Sequence, residues 1–183
     1  QRDEADQANR LATLVSGRVK DQLDLLDGVR ALYTSSHAKT ADDQHIRRYL
    51  QQLETDGHDF GIEGIGLLLA TRPDNIDAIE SRIKANYGID RKVWPQLTQD
   101  LGFTVVMIEP DNVANRRALG FNMYDEAVRR RAIQKGWTTG KVTVSGIVTL
   151  VQDRHLRTPY SAFVIYMPLI DTHAPLPSTK YNA

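Results

Sequence analysis

Ile62-Glu63-Gly64-Ile65-Gly66-Leu67-Leu68-Leu69-Ala70-Thr71 is the stretch at which the chain changes character. Before it, apolar residues recur every three or four positions. From it onward, short apolar and β-branched runs are separated by turn residues. A helical first half therefore gives way to a mixed second half. The glycines of Gly61-Ile62-Glu63-Gly64-Ile65-Gly66 precede an apolar strand rather than a helix N-terminus, so they suit close packing in a sheet and not a phosphate cradle.

Upstream, no proline interrupts Asp3 to Tyr33, and Leu11, Val15, Val19, Leu23, Leu26, Val29 and Leu32 form the stripe of one helical face. This spacing predicts one long helix. Gly17 and Gly28 each weaken it by about 1 kcal/mol relative to Ala, so packing along the stripe has to sustain it and a partner surface is implied. Ser35-Ser36-His37 breaks the pattern. Thr40 with Asp43 resembles a capping box opening a second helix, with Ile46, Tyr49, Leu50 and Leu53 as its buried face and Asp56-Gly57 as its stop.

Downstream of the strand, Pro73-Asp74 opens a helix with Ile76, Ile79 and Ile83 on one side and Gly88 at a left-handed C-terminal cap. A loop carrying Trp94-Pro95 leads to a strand over Phe103 to Glu109, a polar connection from Pro110 to Arg117, and a short extended segment from Ala118 to Met123. Asp125 to Lys135 reads as a helix ended by Gly136. Strands are expected near Val142 to Ser145, Ile147 to Gln152 and Ser161 to Ile170. Strands and helices do not alternate strictly, as a doubly wound parallel sheet would require, so the class is α+β with antiparallel sheet.

The composition narrows the function. Over 183 residues, 41% are hydrophobic and 25% charged, as in a folded globular chain, and Lys plus Arg (23) balance Asp plus Glu (23). A nucleic-acid module carries a basic excess, so no nucleic-acid partner is expected. Cysteine is absent, which removes disulfides, thiol catalysis and cysteine-ligated metal, and is compatible with an oxidising compartment. The longest strongly apolar run, Ile65 to Ala70, falls far short of the roughly 18 residues of a spanning helix, and Gln1 to Gln7 is too polar for a signal peptide. A charged helical start and a Pro/Ser/Thr segment from Pro175 to Thr179 read as a piece cut from a longer protein.

No catalytic set emerges. His37, His45, His58, His155 and His173 show no metal-ligand spacing, and no metal or cofactor is expected. Asp42-Asp43 and Asp125-Glu126 lie at helix starts, where the helix dipole favours negative charge. There is no GxSxG elbow, and Arg129-Arg130-Arg131 reads as a solvated face. Core packing suits Val105, Met107, Val142, Val144, Phe163 and Ile165, on alternating faces of expected strands. Asn122 is different: a polar residue between Phe121 and Met123 in an extended segment needs partners if buried.

A series of short motifs then becomes specific. Ile108-Glu109-Pro110, Asn115, Ala118-Leu119-Gly120-Phe121-Asn122, Arg129-Arg130 with Ala132, Thr139-Gly140-Lys141, Ser145-Gly146 and Leu150-Val151-Gln152 together closely resemble the CHASE family. Its pattern runs IEP, N, ALGFD, a helix with RR and A, TGK, SG, and LVQ, and the likeness extends back through Ile62 to Thr71 and the long first helix.

The resemblance implies an extracytoplasmic, non-enzymatic sensor between two membrane spans absent from this chain. The implied fold is α+β: a long N-terminal stalk helix followed by two PAS-like antiparallel sheet subdomains. The expected division places the stalk and second helix in residues 1–55 and a PAS-like sensor region in 56–183. It implies a homodimer through the stalk and a small-molecule ligand. The output expected from the resemblance is a histidine kinase of a two-component system, the alternative being a diguanylate cyclase with another small molecule or a peptide as ligand. Among relatives, plant cytokinin receptors hold an N6-substituted adenine. There an Asp matching Asn122 hydrogen-bonds the purine and a Leu matching Val144 gives a main-chain contact. Asn can pair with adenine through N6 and N7. The expected ligand-binding residues are Asn122 and Val144 with Val105, Met107, Met123, Val142, Phe163 and Ile165. A dimerisation module without a ligand, and more weakly a hydrolase for which no nucleophile and base can be named, are the competing classes.

Overall fold

Residues 2–35 are one helix, α1 (Arg2–Ser35), and a second, α2 (Asp43–Thr55), carries Ile46 and Leu50 as buried residues. The computed structural model describes residues 2–35, 43–55 and 62–169. The chain divides into two compact units, Gln1–Glu63 and Gly64–Ala183. The Ser36-His37 break, the Thr40 cap, the Asp56-Gly57 stop, His58, Ile170, His173 and the Pro175–Thr179 segment lie outside the described residues.

In the first unit the apolar stripe of α1 is used unevenly. Its Leu11 and Val15 are exposed, as is Leu14 beside them, and Val19, Leu23, Leu26, Val29 and Leu32 are half-buried, whereas the buried Leu25 lies off the expected stripe. At Gly28 α1 lies close against α2, because a Cβ there would lie 2.6 Å from Tyr49 Oη. Gly17 has nothing within 4 Å of the same position.

The second unit is built around β2 (Gly102–Glu109), every residue of which is buried. The cause is that β2 has neighbours on both edges. On one side β1 (Ile65–Thr71) pairs antiparallel with it, from Ile65↔Glu109 to Thr71↔Gly102, with a register shift between Leu67 and Leu68. On the other, residues 120–123 run alongside: Gly120 N–H donates to Val105 O (2.9 Å), Val105 N–H to Phe121 O (3.1 Å) and Met123 N–H to Phe103 O (2.8 Å). Trp94 extends this edge, donating through N–H to Gly120 O and accepting from Asn122 N–H at 2.8 and 2.7 Å.

The helix α3 (Ile76–Tyr87) buries Ile79, Ile83 and Tyr87, and Gly88 caps it at φ 66°, donating its N–H to Lys84 O. Tyr87 Oη accepts the Ile108 N–H at 2.8 Å, pinning the end of the helix to β2. The helix starts at Ile76 rather than at Pro73-Asp74. Asn75 forms a turn first, its side chain accepting the Arg72 N–H (2.8 Å) and donating to Ala70 O (3.1 Å).

The next helix, α4 (Ala127–Thr139), corrects one expectation: Gly136 lies inside it, and Gly140, at φ 66°, ends it. Gly136 is there for clearance, since a Cβ would lie 3.0 Å from Thr143 Oγ1. The three long strands expected after it are also shorter. β3 (Thr143–Val144) pairs antiparallel with β6 (Ile165–Tyr166), and β4 (Val148–Thr149) with β5 (Ser161–Ala162). A 3₁₀ turn at Val151–Asp153 ends the second expected strand early. Leu101, Phe103, Tyr124, Ala132, Ile133 and Tyr166 form a common core beneath these ladders and α4. The unit is therefore α+β with small antiparallel sheets.

Candidate functional site

Asn122 is 3% exposed and sits opposite Thr104 on the edge of β2. Its Oδ1 accepts two peptide N–H groups, from Phe103 and from Tyr124, each at 3.1 Å. Its Nδ2 donates to no described residue. Gly102 makes room for the carboxamide, because a Cβ there would lie 2.8 Å from Oδ1. A polar side chain buried this way satisfies backbone donors that the strand edge would otherwise strand without partners.

Met123, next in the chain, faces a second polar centre. Arg129, on the first turn of α4, is completely buried. Its Nε donates to Glu126 Oε2 (2.7 Å), its Nη2 to Thr149 O (2.7 Å) and its Nη1 to Met123 Sδ (3.2 Å). Its guanidinium lies 5.7 Å from the ring centroid of Phe121, and that of Arg154 lies 4.8 Å from the same ring. Trp94 stands 4.8 Å from Phe121, so the ring is enclosed by an indole and two cations. Arg129 thus departs from the expected solvated face. It occupies the first position of the stripe Arg129, Ala132, Ile133, Gly136, whose spacing turns all four toward the core. Arg131 keeps to solvent.

Tyr166 Oη is buried and has no hydrogen-bond partner. Burial pushes its pKa up to about 12, with the neighbouring Arg129 charge pulling the other way. Burial likewise raises Tyr124, against the pull of Arg130.

The other motif residues form a polar seam. Asn115 is buried, donates through Nδ2 to Pro110 O (2.9 Å) and accepts at Oδ1 from Gln152 Nε2 (3.0 Å). That bond joins the 3₁₀ turn at Asn115–Ala118 to the one at Val151–Asp153. Glu109 Oε2 accepts the Asp111 N–H at 3.0 Å. Thr143 Oγ1 donates to Ala132 O at 2.8 Å, tying β3 to α4. Ser145 Oγ accepts the Val164 N–H at 2.9 Å. The seam was absent from the site read in the sequence; adjacent polar letters in a motif do not reveal which backbone groups they serve.

The eight residues expected to bind ligand fall into separate environments. Val105 and Met107 are fully buried within β2. Met123 is half-buried against the core. Val144 and Phe163 are 55% and 53% exposed, on and beside the β3–β6 ladder where Val144 pairs with Ile165. Val142 is also exposed. Among the described residues no three His, Asp or Glu side chains converge as metal ligands would, and no helix is long and apolar enough to cross a membrane.

The chain matches the family model of the CHASE domain over residues 39–182, and it belongs to that family. CHASE domains are extracytoplasmic sensor domains of membrane signalling proteins and are generally non-catalytic. None of the curated proteins compared with the chain matches it.

Proposed function

We propose that this chain is the ligand-sensing region of a transmembrane histidine kinase, with PAS-like architecture in residues 56–183. In this reading it binds a small molecule at Asn122, an N6-substituted adenine of the cytokinin type being the first candidate. The observation that carries the reading is the buried Asn122 carboxamide, whose Nδ2 has no acceptor among the described residues. Nδ2 is not among the side-chain atoms shut away from solvent without a partner, so its two hydrogens are open to an acceptor that a ligand brings. Val144 and Ile165 on the β3–β6 ladder, and Val105, Met107, Met123, Val142 and Phe163, are the apolar residues this reading assigns to the ligand's surroundings.

Signalling passes through paired α1 helices. The exposed Leu11, Leu14 and Val15 support that pairing, because an apolar stripe in a helix with no partner leaves its surface in water. A ligand biases such a pair only by binding its two arrangements with different affinity. The same stripe is what a dimerisation module without a ligand would carry, and single-cysteine crosslinking along α1 with and without ligand separates the two.

The direct test is a thermal-shift titration with N6-isopentenyladenine alongside amino acids and small acids. At a hundredfold excess over the dissociation constant, binding adds about 2.7 kcal/mol, which raises Tm by several degrees in a domain of this size. A shift with the purine supports the reading. Absence of a shift with any purine rejects the purine and leaves family membership untouched.

A further inference from the structure

The orientation of the Asn122 carboxamide is dictated by the backbone. Both groups that reach Oδ1, the Phe103 and Tyr124 peptide N–H groups, can only donate. Turning the amide over would set its own NH2 against two donors, so chemistry fixes which atom is oxygen. Oδ1 is thereby engaged twice at 3.1 Å, and Nδ2 keeps two hydrogens without a described acceptor. Gly102 leaves the room this carboxamide needs, since a Cβ there would lie 2.8 Å from Oδ1. An aspartate here would give one oxygen to the same two N–H groups and turn its other oxygen, an acceptor, to where Nδ2 now lies.

We propose that Asn122 reads its ligand only as a hydrogen-bond donor, through Nδ2, so that this sensor selects a molecule presenting an acceptor at that point. The acceptor is a ring nitrogen, a carbonyl or a carboxylate oxygen, and an N–H beside it goes unread. The inference rests on the reading that Asn122 touches the ligand. For an N6-substituted adenine it replaces the two-bond amide–adenine pairing by a single bond to N7, because no oxygen on this residue is left for the N6 hydrogen.

Calorimetric titration of the 183-residue chain tests this with N6-isopentenyladenine, its N6-methyl derivative, which lacks the N6 hydrogen, and its 7-deaza analogue, which lacks the N7 acceptor. For the wild type, N6-methylation changes the dissociation constant by less than about threefold and 7-deaza substitution weakens binding about tenfold, the scale of one hydrogen bond. Asn122→Asp retains an oxygen for both backbone donors and reverses the order. Should N122D not fold, the wild-type comparison decides alone. Wild-type binding that drops tenfold on N6-methylation, or that treats all three molecules alike, overturns the inference while leaving a purine sensor standing. If neither wild type nor N122D binds any of the three, the purine reading falls and takes this inference with it.

Discussion

Arg129 Nε donates to Glu126 Oε2 across 2.7 Å, and the arginine has no exposed surface while the glutamate side chain is about one-third exposed. Removing the guanidinium frees the Thr149 carbonyl, while the Glu126 carboxylate keeps solvent and Arg154. Arg129→Met is therefore expected to destabilise the chain by about 1–3 kcal/mol, whereas Arg131→Ala, two positions on and in solvent, stays within about 0.5 kcal/mol. Urea denaturation of both variants checks this, and equal losses would return Arg129 to the solvated face.

That contrast marks the limit of what the amino-acid order discloses. The elements with long, regular periodicity are legible: the single long helix α1, Ile46 and Leu50 on α2, Ile79 and Ile83 on α3, and the Gly88 cap. Helix α4 is legible in place but not in meaning, because three adjacent arginines look alike until a helical register puts Arg129 in line with Ala132, Ile133 and Gly136. Gly136 misleads in the same way: a glycine kept for clearance against Thr143 has the same letter as one kept for a left-handed cap. The Ser161–Ile170 stretch reads as one strand, since period-two alternation cannot show that Ser161–Ala162 and Ile165–Tyr166 pair with different partners. Asn122 is legible as a buried polar residue, but the direction of its amide is set by the Phe103 and Tyr124 N–H groups, which are backbone and leave no trace in the sequence.

Tyr166 supplies a second expectation. Its buried hydroxyl has no partner, and its pKa is pushed up to about 12 by burial. A raised folded-state pKa means that the neutral phenol is the stable form. Its contribution is full below the unfolded value near about 10 and is lost as pH rises through about 12. Tyr166→Phe removes an unpaired polar atom, so stability at neutral pH should be unchanged or up to about 2 kcal/mol higher. The difference between the two proteins' tyrosinate titrations at alkaline pH should show a group ionising at the top of that range. A loss of more than about 1 kcal/mol at neutral pH would mean that the hydroxyl has a partner.

Gln152 and Asn115 give a third. Their 3.0 Å bond links two 3₁₀ turns that lie far apart in sequence, and Asn115 is buried. Gln152→Ala deprives Asn115 Oδ1 of this donor and should cost about 1–2 kcal/mol. Gln152→Glu turns a donor into an acceptor facing Asn115 Oδ1 and should cost more. Equal stability of the two variants in chemical denaturation would show that the bond carries no weight.

The glycines of α1 make the last expectation, and they part company for a steric reason. Nothing lies within 4 Å of a Cβ at Gly17, so Gly17→Ala recovers helix propensity alone and should raise stability of the first unit by about 0.5–1 kcal/mol. At Gly28 the same methyl would lie 2.6 Å from Tyr49 Oη and 3.5 Å from Cζ. Only the hydroxyl oxygen is in conflict, and it stands at the tip of a side chain that can shift only by disturbing the α1–α2 contact. Gly28→Ala should therefore gain nothing or lose, and Gly28→Ala combined with Tyr49→Phe should recover the propensity gain, because the ring carbon is left at ordinary contact distance. Thermal unfolding followed by helical circular dichroism separates these cases, and a gain from Gly28→Ala alone equal to that from Gly17→Ala would mean that α1 does not press on Tyr49 in solution.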